Sequence, residues 1–151
     1  MTNLERARRL VDEIRKAGVE DFCICAGSRN SPLIAVLGRL DAGSLFSFVD
    51  ERSAAFFALG RIKQGKRAAV VTTSGTAVAE LFPAVIEAHY SAQPLIVITA
   101  DRPARYRGTG APQSIEQIGI FGPYAATSID KWSGAAPLHI NIEFDEPLID
   151  E

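Results

Sequence analysis

Four short apolar runs, at residues 22–26, 45–49, 68–73 and 94–99, divide the first hundred residues, and the stretches between them carry apolar residues at helical spacing. Runs this short suit strands covered on one or both faces better than they suit helices. Strands that alternate with helices argue for a parallel sheet, because two parallel neighbours need a long crossover and a helix supplies one. The sequence therefore predicts an α/β fold: a mostly parallel sheet of about six strands, flanked by helices, with weaker strands at 125–129 and 138–142. One domain over residues 1–151 accommodates all of it, since 151 residues, 47% of them hydrophobic, can bury a single sizeable core.

The helices have readable limits. Leu4, Ala7, Leu10, Val11 and Ile14 form one face of a helix that stops at Ala17-Gly18. Pro32 suits the first turn of a helix running to about Leu40, and Asp50 caps another over 51–63. A helical stretch from Thr76 to about Tyr90 is divided by Pro83. Residues 101–123, rich in Gly, Pro and Arg, read as a long functional loop with a short helix near 114–119.

Several function classes are excluded or weakened. The net charge of −2, with both signs mixed along the chain, gives no basic stripe for a nucleic acid. The charged start and the lack of any apolar run near ~20 residues argue against a secretory signal or a membrane span, so a cytoplasmic protein is expected. Cys23 and Cys25 lie two apart on a strand, point to one side, and are expected to be buried, inert thiols. His89 and His139 lack neighbours at metal-ligand spacing and are expected to be structural, with no metal site in the chain. No Walker loop, G-x-G-x-x-G, G-x-S-x-G or paired C-x-x-C is present.

Ligands of open parallel sheets bind beyond the carboxyl ends of the strands. Four strand-like runs end there in polar clusters: Gly27-Ser28-Arg29-Asn30-Ser31, Asp50-Glu51-Arg52-Ser53, Thr73-Ser74-Gly75-Thr76 and Ala100-Asp101-Arg102-Pro103. Singly, each also reads as a helix cap or a surface ion pair. Together at one edge they collect hydroxyls, arginines and a carboxylate, a set suited to an anionic ligand and proton transfer.

The span from Asp50-Glu51-Arg52 to Gly60, the Val-rich run that ends in Thr73-Ser74-Gly75-Thr76-Ala77, and Pro94-Leu95-Ile96-Val97-Ile98-Thr99-Ala100 resemble the pyrimidine-binding domain of thiamine-diphosphate enzymes. Ala26-Gly27-Ser28-Arg29-Asn30-Ser31-Pro32-Leu33, Thr99-Ala100-Asp101-Arg102-Pro103 and Gly110-Ala111-Pro112-Gln113-Ser114-Ile115-Glu116-Gln117 resemble the MenD (SEPHCHC synthase) branch. The resemblance implies the three-layer fold of those enzymes and thiamine diphosphate as cofactor. It implies that Glu51 is the catalytic carboxylate that hydrogen-bonds the aminopyrimidine, with Ser74, Gly75 and Thr76 along the cofactor. A carboxyl shielded by packed Phe and Ala neighbours can share a proton with a weakly basic nitrogen, whereas one in bulk water ionises. The implied reaction decarboxylates 2-oxoglutarate and adds the succinyl unit to isochorismate, with the cofactor carrying the electrons. Both substrates are carboxylates, which gives Arg29 and Arg102 anions to clamp, while Ser28 and Gln113 add neutral hydrogen bonds. Asn30 and Gln117 are weaker candidates.

The family is several times longer, adding a central domain and a diphosphate-binding domain that holds Mg2+. The chain is thus expected to supply half a site, completed by the diphosphate-binding domain of another subunit in a homo-oligomer, and to turn over little alone. The family also places a helix between Trp132 and Pro137, where this chain has only Ser133-Gly134-Ala135-Ala136. So short a link leaves the last strand misplaced, antiparallel, or separated by residues missing from the chain. Two other readings stay open: an acetolactate-synthase-like pyrimidine domain, and a non-catalytic ligand-binding or assembly module on the same fold.

Overall fold

Local signals place each helix, and the sheet then decides which of its faces is covered. The computed structural model describes residues 1–41 and 43–150. Helix α1 (Asn3–Lys16) opens with a capping box: the Thr2 hydroxyl accepts from the Glu5 amide at 3.1 Å, and the Glu5 carboxylate accepts from the Thr2 amide at 2.8 Å. Its Ala7, Leu10, Val11 and Ile14 stripe is buried. Next come β1 (Asp21–Cys25), α2 (Ser31–Leu37), β2 (Ser44–Phe48), α3 (Glu51–Lys63) and β3 (Ala68–Thr72). The Asp50 carboxylate caps α3 by accepting from the Arg52 and Ser53 amides. Pro83 does divide the next helical stretch, into α4 (Thr76–Ala79) and α5 (Phe82–Tyr90), by standing in the first turn of α5. Strands β4 (Ile96–Asp101) and β5 (Leu138–Glu143) complete the set.

All strand pairings are parallel, in the order β2-β1-β3-β4-β5. The central strands β1, β3 and β4 are buried at every position, which is why they read as unbroken apolar runs. One face, with Phe22, Ile24, Val71, Ile96 and Ile98, packs on α1 and α2. The other, with Cys23, Cys25, Val70 and Val97, packs on α3, α5 and Phe121, and Ala54, Ala55 and Ala58 let α3 lie close to the sheet.

The sheet has five strands where about six are expected. The segment 125–129 makes one parallel bridge, Ala126 with Leu138, between the hydrogen bonds Ala126 N to Pro137 O (2.9 Å) and His139 N to Ala126 O (2.8 Å). It then leaves the sheet in a 3-10 turn, Ile129–Lys131. A sixth parallel strand would need a crossover back along the sheet, and residues 127–137 contain no helix to make one. The last strand is nonetheless in place and parallel, because it follows β4 through the long connection 102–137 and pairs with it from Ile96↔Leu138 to Asp101↔Glu143. No helix forms at 114–119; the connection is shaped by 3-10 turns at Ala104–Tyr106 and Gly122–Tyr124.

Candidate functional site

Because every strand runs the same way, the four polar turns share the carboxyl edge of the sheet, in the order of their strands. After β1, the fully buried Asn30 staples its own turn: its Oδ1 accepts from the Gly27 amide and its Nδ2 donates to the Cys25 carbonyl, both at 2.9 Å. A Cβ on Gly27 would stand 2.6 Å from Thr73, so only glycine lets this turn lie against the end of β3. Ser28 stays exposed. Arg29 does not: it is 5% exposed, and its guanidinium donates to the Phe144 carbonyl (2.9 Å) and to Glu146 Oε1 (3.1 Å), beyond the end of β5.

After β3, Ser74 is buried, Thr76 exposed, and Gly75 takes φ +78°, ψ −135°, a region closed to side chains. The space a Cβ would need is filled by Gln113, whose Cα would be 2.8 Å away, so Gly75 is required by the approach of the 110–117 loop. Gln113 is itself exposed, at φ +51°. The fully buried Gln117 secures the contact: its Oε1 accepts from the Gly75 amide (2.8 Å), and its Nε2 donates to Asn141 Oδ1 (2.8 Å) and to the Ala100 carbonyl (3.2 Å). Asn30 and Gln117, the weaker candidates, thus hold the two glycine turns in shape.

Gln117 belongs to a directional ladder that sequence reasoning missed. Asp101, 1% exposed, accepts from Arg107 Nη2 (3.1 Å) and Asn141 Nδ2 (2.9 Å), and Arg107 also donates to Glu143 at 2.7 Å. With Nδ2 turned to Asp101, Asn141 offers Oδ1 to Gln117 and to the Thr99 hydroxyl (2.8 Å). Thr99 has one hydrogen and gives it to Asn141, so it accepts from His139 Nε2 at 2.8 Å, which places a hydrogen on that nitrogen. Burial keeps the ring neutral, holding the His139 pKa down at about 4 despite the opposing charge of Asp101. The one available signal was the alternation in β5, where His139, Asn141 and Glu143 interleave with Leu138, Ile140 and Ile142.

Glu51 is the first residue of α3 and is half-buried at this edge. Its charge reaches the Cys25 thiol at the end of β1: burial first, then Glu51, then Asp50, push that thiol up to about 12. Cys23 is likewise raised to about 12, chiefly by burial, and both cysteines are free and buried, as expected. Phe57 lies against Phe46 and Phe48 of β2, and Phe56 is 43% exposed. Thr72, paired in register with Thr99, has a buried hydroxyl with no hydrogen-bond partner, the one such side-chain atom among the described residues.

Arg102 is half-buried, donates from Nε to the Pro112 carbonyl (3.0 Å) and lies over the Tyr106 ring. The carboxyl edge therefore brings together Glu51, Ser28, Ser74, Gly75, Thr76, Gln113 and Arg102, while the Arg29 head group is engaged with the segment after β5. His89 packs edge-on against Tyr90 and Tyr124. Among the described residues, no group of three His, Cys, Asp or Glu is placed to hold a metal. A separate cleft of about 760 Å³ at the amino ends of the strands, lined by Arg15, Lys16, Asp21, Arg61 and Lys66 among others, contains none of the predicted residues.

The protein family described as thiamine pyrophosphate enzyme, N-terminal TPP binding domain, matches residues 5–120. The chain is 49% identical, over 162 aligned positions, to a 2-succinyl-5-enolpyruvyl-6-hydroxy-3-cyclohexene-1-carboxylate synthase of Bdellovibrio bacteriovorus, covering 99% of this chain and 31% of that protein. It is 48% identical to the protein of the same name in Nocardioides sp., over 95% of this chain and 28% of the relative, and 54% identical to that of Oceanobacillus iheyensis, over 76% and 20%. The chain spans less than a third of the length of these curated relatives.

Proposed function

The chain belongs to the thiamine pyrophosphate enzymes, as their N-terminal TPP-binding domain, and from that premise we propose that it forms the pyrimidine half of a SEPHCHC synthase site. The observation that carries this reading is the position of Glu51: a carboxylate at the first residue of α3, half-buried, and close enough to the end of β1 for its charge to act on Cys25. Covering it with an apolar surface would raise its proton affinity, so that it could share a proton with a heterocyclic nitrogen. Val49, two residues before Glu51 and 99% exposed, supplies apolar surface that such a cover would bury.

The residues present fit the pyrimidine end of thiamine diphosphate: Glu51 for a ring nitrogen, the orphaned Thr72 hydroxyl as a polar atom in want of a partner, and Ser74 and Thr76 beside it. When bound, that cofactor supplies the electron sink for decarboxylation. Its diphosphate and Mg2+ are assigned to the diphosphate-binding domain of another subunit in a homo-oligomer. Arg102 and Arg29 orient the carboxylates of 2-oxoglutarate and isochorismate, Ser28 and Gln113 add neutral hydrogen bonds, and the reaction belongs to menaquinone biosynthesis in the cytoplasm.

The test supplies the diphosphate-binding half in trans or by fusion and measures thiamine diphosphate binding and turnover, with isochorismate compared against pyruvate as acceptor. Glu51→Gln should lower turnover about a hundredfold or more with folding intact. Unchanged turnover in that variant, or a preference for pyruvate, refutes the assignment.

A further inference from the structure

A buried guanidinium must be paired, and the pairing of Arg29 is unusual in what supplies it. Arg29 is 5% exposed, yet its only carboxylate contact among the described residues is with Glu146, whose side chain is 63% exposed and presents a single oxygen at 3.1 Å. The backbone that carries Glu146 is fixed. The Phe144 amide donates to the Asp101 carbonyl at 3.0 Å, the Asp145 carboxylate takes both Arg105 Nη groups at 2.6 and 2.7 Å, and Asn3 Nδ2 donates to the carbonyls of Asp145 (2.7 Å) and Pro147 (2.9 Å). Phe144 also gives Arg29 its carbonyl at 2.9 Å. Hydrogen bonds thus tie down the main chain around the cation, while its one carboxylate hydrogen bond among the described residues comes from a mostly hydrated side chain, with Asp145 close enough to feel the charge of Arg29.

We propose that Glu146 is an internal carboxylate occupying the anion seat of Arg29, and that a substrate carboxylate takes the seat by displacing it. The proposal rests on the reading of Arg29 as a substrate-binding residue. Exchange of one carboxylate for another leaves the buried cation paired throughout, which avoids the large cost of an uncompensated buried charge. The leaving side chain is already mostly in water, so its release costs little. An incoming carboxylate that meets the guanidinium with two oxygens gains over the single oxygen of Glu146, because the fork of Arg favours bidentate partners. A neutral ligand offers the guanidinium only a dipole and a cation repels it, so carboxylates compete best for the seat. Glu146 thus acts as a specificity filter for anions and lowers their apparent affinity by the share of time it holds the seat.

The experiment titrates the folded, 15N-labelled chain with 2-oxoglutarate and, separately, with isochorismate, at constant ionic strength, in wild type, Glu146→Gln and Glu146→Ala. Both variants take from the buried Arg29 its carboxylate partner, so the fold of each is checked first by its 15N spectrum and urea midpoint, and affinities are compared on the folded proteins. Saturable shifts are expected at residues 28–31 and 144–146, with both variants binding about two- to fivefold more tightly than wild type, the range set by a largely exposed ion pair. Equal affinity in all three proteins overturns the displacement while leaving Arg29 as a binding residue. No saturable binding of either carboxylate in any of the three overturns the seat and, with it, the substrate role of Arg29.

Discussion

Replacing Gln117 with Leu isolates the ladder that shapes the carboxyl edge. Leu preserves most of the volume of a side chain that is fully buried, so the change removes polar contacts without opening a large cavity. Three hydrogen bonds disappear, to Gly75 N, Asn141 Oδ1 and Ala100 O. The losses are unequal. Asn141 Oδ1 keeps the Thr99 hydroxyl, whereas the Gly75 amide, in a turn roofed by Gln113, has no other acceptor among the described residues. One orphaned buried donor costs about 1–3 kcal/mol, and the remaining bonds about 0.5–1.5 kcal/mol each, partly offset by the apolar gain of Leu. The net expectation is about 2–4 kcal/mol of lost stability, measured by urea unfolding of the chain. Native-state hydrogen exchange adds a local readout, in which the Gly75 amide should lose protection far more than amides in β1 or β4. A loss under about 1 kcal/mol, with Gly75 still protected, would refute the role of Gln117 as the staple of this turn.

His139 should make stability fall with acid in a defined window. Its folded pKa is lowered to about 4 by burial, so between pH 6.5 and about 4 the unfolded chain binds a proton that the folded chain refuses; the effect is absent above 6.5 and levels off below about 4. The slope should total about 3 kcal/mol in urea titrations and vanish from that window in His139→Asn. Thr72→Val should stabilise the isolated chain by about 1 kcal/mol, since it replaces an unpartnered buried hydroxyl with a methyl of equal shape, and a loss of stability by calorimetry would show that the hydroxyl has a partner in solution.

The limits of what could be read in advance follow from the range of the forces involved. Glu51 and its cap Asp50 were legible because a helix start is a local event, settled within four residues. Gly75 was legible as a turn but not as a contact, since its need for glycine comes from Gln113, brought there by the long loop. Arg29 was legible as a cation at the edge, but its burial against Phe144 and Glu146 depends on where a segment more than a hundred residues later returns. The sixth strand was expected from an apolar segment alone, and failed because a parallel strand requires a crossover that residues 127–137 do not contain.

Apolar runs that alternate with helical stripes were sufficient by themselves to determine the layered architecture, because a strand covered on both faces shows as a short unbroken apolar run and a helix face as a period of about 3.6 residues. They also determined that the polar turns would gather at one edge, since parallel strands all point their carboxyl ends the same way. Only the tertiary structure decided the partners within that edge: Gln117 on Gly75, Asn141 between Asp101 and Thr99, and Glu146 over Arg29. Hydrogen bonds and ion pairs are short-ranged and directional, so which groups pair is fixed by how distant segments meet, and even the polar alternation of β5 does not name the partners.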